Sequence, residues 1–173
     1  MVEDEQLSDF LEAYENVTGE ILTVVGAGER PDFICERQAG EAVGVELTRP
    51  QHDYSMVKQD RIWAVSQTMN YFDLMDAVYG IVAQKAVKRA GSGWRLPDNT
   101  ILVVQLIDYT FEPQMWLSRR CLAKDFEDAG FAEIWLADRT ELDAYGAVRL
   151  IGLYPERIWG THYQAAFNQK PYG

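Results

Sequence analysis

The chain has 173 residues, of which 47% are hydrophobic and 25% charged, and this length and composition predict a single globular domain over residues 1–173. Its 27 acidic and 16 basic residues give a formal net charge of −11, which argues against a protein that holds DNA through its general surface field and limits nucleic-acid binding to a local basic patch. The acidic first residues lack the pattern of a signal peptide and no apolar run is long enough to span a bilayer, so we expect a cytoplasmic protein.

Apolar residues at three- and four-residue steps predict a first amphipathic helix over residues 8–18, with Ser8 as its N-cap. Three strands, a long helical segment, a central strand, a further helix and two strands are predicted next, in this order: 21–25, 33–37, 42–48, 54–90, 101–107, 115–129, 131–137 and 147–154. The segment 54–90 is one helix or two joined near residues 73–80. The tail from residue 159 is predicted to be irregular. Strands gathered around a central strand with helices on both faces give an α/β or α+β sandwich.

Two carboxylates fall on neighbouring predicted strands, Asp32 at the start of one and Glu46 near the end of the next. Their separation of 14 residues is about what a hairpin needs to bring them side by side. Two such carboxylates can share one divalent cation, because hard cations such as Mg²⁺ bind one or two carboxylates together with substrate phosphate. The alternative is that Asp32 caps a turn and Glu46 lies at a solvated strand edge, although a carboxylate between Val45 and Leu47 is costly without a partner.

Pro31-Asp32 followed by Glu46-Leu47-Thr48 resembles the signature of the PD-(D/E)XK nuclease superfamily. The resemblance implies a restriction-endonuclease-like three-layer sandwich, with a central mixed sheet flanked by helices and an α-β-β-β-α-β core. It implies hydrolysis of nucleic-acid phosphodiester bonds with Mg²⁺ or Mn²⁺. The metal ligands that it implies are Asp32, Glu46 and the main-chain carbonyl of Leu47.

Thr48 stands where the family has a lysine that orients the attacking water and offsets negative charge, so either another residue substitutes or the site is degenerate. Four side chains after Glu46 are candidates for this role: Lys58, Gln67, Lys85 and Lys88. Gln67 and Tyr71 are similar to the Gln-X-X-X-Tyr motif of RecB-like nucleases. Lys85 and Lys88 lie much farther along the chain, where they suit nucleic-acid binding better than water activation.

Many members of this superfamily add a glutamate from the first helix to the metal site, and Glu12 and Glu15 are the candidates here. At about 100° per residue, Glu15 borders the apolar stripe of the helix while Glu12 points nearly away from it. The resemblance therefore favours Glu15 as a further metal ligand.

The net charge supports a different class of function, a non-catalytic acidic protein that binds a basic protein partner. A third hypothesis is a nuclease-like fold that is kept as an assembly module. A homodimer is compatible with each of these three hypotheses. Basic side chains beside the two carboxylates would favour the nuclease, whereas an extended acidic surface around them would favour the basic partner.

Overall fold

The computed structural model describes residues 2–50, 71–91, 93–107, 122–139 and 148–161. In these ranges the α-helices and strands follow one another in this order: α1 Val2–Thr18, β1 Leu22–Ala27, β2 Phe33–Arg37, β3 Ala42–Thr48, α2 Tyr71–Ala90, β4 Thr100–Leu106, β5 Glu133–Asp138, β6 Arg149–Tyr154 and β7 Gly160–Thr161. Short 3₁₀ turns at Ala123–Ala129 and Glu156–Ile158 precede β5 and follow β6.

The strands form one seven-stranded sheet in the order β1-β2-β3-β4-β5-β6-β7. The sheet is mixed. Four neighbouring pairs are antiparallel, namely β1–β2, β2–β3, β5–β6 and β6–β7. The two central pairs, β3–β4 and β4–β5, are parallel. Parallel neighbours need a long crossover, and the connection from β3 to β4 contains α2.

Helices cover both faces of the sheet. Alternate residues of β4 divide between two cores: Ile101 and Val103 pack with α1, and Leu102 and Val104 pack with α2. The layers are therefore helix, sheet and helix, which confirms the predicted mixed sheet flanked by helices. Among the described residues, no helix has the length and apolar character needed to cross a membrane.

The boundaries of β2 and β3 agree with the prediction, and those of β1, β4, β5 and β6 differ by one or two residues at an end. The predicted start of the first helix is wrong, because α1 begins at Val2 and Ser8 lies inside it. Three acidic residues in its first turn explain the longer helix, since negative charge stabilises a helix N-terminus. Residues 54–70 and 108–121 lie outside the described ranges.

The described part of the predicted helix 115–129 is a 3₁₀ turn that ends at Gly130, whose φ of 82° lies in the left-handed region. α2 continues without a break past Gly80, so the described part of the long segment is one helix. The start of the tail, predicted to be irregular, instead pairs with β6 as β7. Cys35 is a buried free thiol, as expected of a small hydrophobe in a core.

Candidate functional site

The hairpin of β2 and β3 brings Asp32 and Glu46 together. Phe33 pairs with Val45, so the next position along the register sets Asp32 opposite Glu46. The backbone N–H of Asp32 donates to Oε2 of Glu46 at 3.0 Å, and the backbone N–H of Leu47 donates to Oδ2 of Asp32 at 2.9 Å. Each carboxylate thus binds the main chain of the other strand, which fixes their relative position.

Lys85 of α2 completes this group. Its Nζ lies 2.7 Å from Oε1 of Glu46. Val43 and Val45 face α1, so the alternation of β3 points Glu46 toward the α2 face, where Lys85 can reach it. Glu46 is only 3% exposed, and a buried carboxylate is costly unless it is paired and hydrogen-bonded. Lys85 supplies that partner from a different layer of the fold.

The environment of Asp32 favours its neutral form. Burial raises the pKa of Asp32 to about 6, and the negative charge of Glu46 adds to the effect. The hydrogen bond from Leu47 and the positive charge of Lys85 oppose it, whereas Glu3 of α1 raises the pKa further. Such a perturbed carboxyl group, coupled to a second carboxylate, is typical of functional sites.

Pro31 holds the turn that carries Asp32 against β3. A Cβ added at Gly44 would lie 2.6 Å from Cγ of Pro31 and 2.7 Å from Oγ1 of Thr100. The proline ring therefore packs directly on the backbone of β3, two residues before Glu46. Only glycine at position 44 leaves room for the proline ring. The contact explains structurally why a proline precedes Asp32.

A cavity of about 390 Å³ adjoins the turn that carries Asp32. The end of β1, the turn before Asp32, Ile34 of β2 and the loop after α2 form its walls, and Arg30 and Arg95 contribute positive charge to the lining. Pro31 belongs to the same lining, so the cavity begins one residue before Asp32. Lys85 is the basic side chain in contact with the carboxylates, and the two arginines belong to the neighbouring cavity.

The other predicted site residues lie as follows. Thr48 is the half-buried last residue of β3, on the same face as Glu46. Lys88 is exposed in the last turn of α2, and Tyr71 is the first residue of that helix. Gln67 lies outside the described residues.

Glu15 is exposed near the end of α1, beside Tyr14. The hydroxyl of Tyr14 accepts a hydrogen bond from Arg37 at 3.3 Å. Arg37 is the last residue of β2, whereas Asp32 comes directly before the first residue of this strand. The α1 carboxylate whose charge reaches Asp32 is Glu3, in the first turn of the helix.

The position of Lys85 on the buried face of α2 has a signal in the sequence. Five residues of α2 are buried and define the stripe that faces the sheet: Leu74, Met75, Val78, Ile81 and Val82. At about 100° per residue, Lys85 lies within about 20° of the centre of this stripe and Lys88 about 80° from it. A lysine at the centre of a buried stripe needs an anionic partner, and Glu46 is that partner.

A second buried polar cluster surrounds Glu133 at the start of β5. Its carboxylate accepts hydrogen bonds from Tyr14 at 3.0 Å, from Trp135 Nε1 at 3.0 Å and from Arg157 at 3.1 Å. Burial and the charge of Glu133 raise the pKa of Tyr14, so its hydroxyl keeps its proton and donates it. These contacts tie α1 to the sheet and satisfy a carboxylate that would otherwise be costly to bury.

Within the described ranges, no group of three or more histidine, cysteine, aspartate or glutamate side chains is arranged to hold a metal ion. Asp32 and Glu46 supply two carboxylates, and Mg²⁺ often takes one or two carboxylates from a protein and completes its shell with water and substrate phosphate. Comparison of the chain with protein-family models, curated proteins and solved structures gave no match.

Proposed function

We propose that this protein is a metal-dependent nuclease of the PD-(D/E)XK type, with a restriction-endonuclease-like fold, acting on nucleic acid in the cytoplasm. The observation that carries the proposal is the convergence of Asp32, Glu46 and Lys85, which come from the turn before β2, from β3 and from α2. The order α1-β1-β2-β3-α2-β4 agrees with the α-β-β-β-α-β core that the resemblance implies.

Mg²⁺ or Mn²⁺ would be held by Asp32, Glu46 and the carbonyl of Leu47. A divalent cation bound there lowers the pKa of a water ligand and neutralises negative charge on the scissile phosphate. The contribution of Asp32 depends on pH. A carboxyl group with a pKa of about 6 is charged at neutral pH, and below pH 6 it becomes protonated and a poorer metal ligand.

Lys85 takes the role of the lysine that Thr48 replaces. Its ammonium has three donors, and among the described residues one of them is engaged by Glu46. The others can orient the attacking water and donate to an oxygen that gains charge in the transition state, an interaction that is strong where water is partly excluded. Thr48, two residues beyond Glu46 on the same face, need not carry a charge.

Calorimetric titration with Mn²⁺ tests the metal site. We expect binding to the wild type and a loss of at least about tenfold in affinity, about 1.4 kcal/mol, in Asp32→Asn and in Glu46→Gln, which keep side-chain shape while removing charge. Glu3→Gln and Glu15→Gln form a matched pair, since both lie on exposed positions of α1. Glu3→Gln should lower the Mn²⁺ affinity by less than Asp32→Asn or Glu46→Gln does. Glu15→Gln should leave it unchanged, because of these two glutamates only Glu3 acts on Asp32.

The activity is tested by cleavage of single- and double-stranded substrates with Mg²⁺ and with Mn²⁺. Cleavage by the wild type that disappears in Asp32→Asn, Glu46→Gln and Lys85→Met would support the proposal. A wild type that binds no Mn²⁺, alone or with a phosphorothioate oligonucleotide, and cleaves neither substrate would overturn it.

A second function, binding of a basic protein, is favoured by one feature of α1. This helix carries six acidic residues and no basic one, and most of them are exposed: Glu3, Asp4, Glu5, Asp9, Glu12 and Glu15. Such a stripe would attract a cationic surface and speed association at low salt. Replacing Glu5 and Glu12 with glutamine should then weaken capture of a basic partner while leaving Mn²⁺ binding intact.

A further inference from the structure

Two arginines of the cavity lining, Arg30 and Arg95, are exposed and form no ion pair with any residue in the described ranges. Of the six other arginines in those ranges, Arg49 just after β3 forms no ion pair there either. The remaining five each pair with a carboxylate: Arg37, Arg89, Arg139, Arg149 and Arg157. Glu29 belongs to the same lining but is not within ion-pair distance of either cavity arginine.

The backbone joins these two arginines. The N–H of Arg95 donates to the carbonyl oxygen of Arg30 at 3.2 Å, which binds the loop after α2 to the turn before β2. Arginines on two adjacent backbone segments thus line one cavity. Such a pair is suited to bind a phosphate, because the planar fork of a guanidinium group matches two phosphate oxygens at once.

The cavity adjoins the turn that carries Asp32. Arg30 is two residues from Asp32, so their Cα atoms are at most about 7 Å apart. Ile34 of the lining pairs with Gly44 of β3, two register steps from the position where Asp32 and Glu46 face each other. A nucleic-acid strand whose scissile phosphate is held at the carboxylates would therefore pass close to this cavity.

The size of the cavity limits what it can receive. A volume of about 390 Å³ is that of a small-ligand pocket. It accommodates one phosphate with part of its nucleotide, carried by a single strand or by the backbone of a duplex.

We propose that Arg30 and Arg95 form a phosphate-binding subsite that holds a backbone phosphate of the nucleic acid close to the bond at Asp32 and Glu46. This inference rests on the proposed nuclease function, because it names the substrate of that site. Three basic side chains, Lys85, Arg30 and Arg95, stand against four carboxylates in this region, which are Glu3, Glu29, Asp32 and Glu46. The local charge is therefore slightly negative without a metal ion and becomes positive when one divalent cation binds.

The test is the salt dependence of strand binding. Fluorescence anisotropy with a single-stranded phosphorothioate oligonucleotide in Mg²⁺ would be measured for the wild type, Arg30→Ala, Arg95→Ala and the double variant. Each lost phosphate contact should lower the slope of log affinity against log salt by about 0.7. Lys124→Ala is the control, since Lys124 is an exposed cation of the 3₁₀ turn that contacts β6, far from β1 and β2 across the sheet.

Unchanged slope and affinity in the double variant, an equal loss in Lys124→Ala, or no strand binding by the wild type would each overturn the subsite. Failure of the nuclease proposal looks different: the wild type cleaves nothing and binds no Mn²⁺, yet the arginine variants still lose salt dependence. Mn²⁺ affinity should not fall in either arginine variant, which separates a lost subsite from a misfolded site.

Discussion

Replacing Asp32 with asparagine should stabilise the metal-free protein at pH 8 and leave its stability unchanged near pH 4. The pKa of Asp32 is raised from 3.8 to about 6, chiefly by burial and by Glu46. The native state therefore binds the proton more tightly than the unfolded state, so stability falls as the pH rises from about 4 to about 6 and stays lower above it. Asparagine is uncharged throughout and avoids this loss.

The magnitude follows from the shift. About two pKa units correspond to about 3 kcal/mol, and screening by water around this half-buried group reduces the expected gain to about 1–2 kcal/mol at pH 8. Asparagine keeps an oxygen that can accept the Leu47 N–H, and its amide can donate toward Glu46, so hydrogen bonding is preserved.

Urea unfolding in EDTA at pH 8 and pH 4 measures the difference. Asp128→Asn is the matched control, because Asp128 is exposed in the 3₁₀ turn before β5, and its effect should stay within about 0.5 kcal/mol at either pH. A less stable Asp32→Asn at pH 8 would refute the reasoning, as would an equal gain at both pH values, which would assign the effect to hydrogen bonding rather than charge. Saturating Mn²⁺ should stabilise the wild type and not the variant, because the ion binds the charged carboxylate.

Two further substitutions test the contacts around the site by urea unfolding. Lys85→Met should lower the free energy of unfolding by about 2–4 kcal/mol, because it leaves a buried carboxylate unpaired. Lys88→Met, at an exposed position, should change it by less than about 0.5 kcal/mol. Equal effects of the two substitutions would show that the ion pair contributes nothing. Gly44→Ala should lower the free energy of unfolding by about 1–3 kcal/mol and weaken Mn²⁺ binding, because the new Cβ displaces Pro31. Gly80→Ala should instead raise the free energy of unfolding by about 0.5–1 kcal/mol, because Gly80 has open space around it inside α2. A Gly44→Ala variant as stable as the wild type would contradict the close packing.

The β2 and β3 hairpin could be predicted from the sequence because its signals are local. Alternating apolar residues bounded by proline and glycine set the strand ends, and the 14-residue spacing set Asp32 against Glu46. The layered architecture followed in the same way from the periodicity of the helices and strands. Each of these signals depends on neighbours in the chain.

The parts of the site that could not be predicted depend on how helices dock. A helical wheel identifies the face of α1 that meets the sheet, but not how far along its axis each residue lies. The apolar stripe therefore favoured Glu15, while the docked helix brings Glu3 of its first turn toward Asp32. Sequence distance likewise gave no reason to set Lys85 beside Glu46, since the two meet only when α2 packs on the sheet.

The origin of the lysine changes how the site forms. A lysine at position 48 would belong to the same hairpin as both carboxylates, so the three groups would assemble as soon as β2 and β3 paired. Lys85 arrives 37 residues later in the chain, on a helix held by a separate core, so the ammonium reaches Glu46 only after α2 has docked. Without the α2 layer, Glu46 would be an unpaired carboxylate on an uncovered face of the sheet. Its burial beside Lys85 couples the completion of the proposed catalytic group to the packing of the α2 layer.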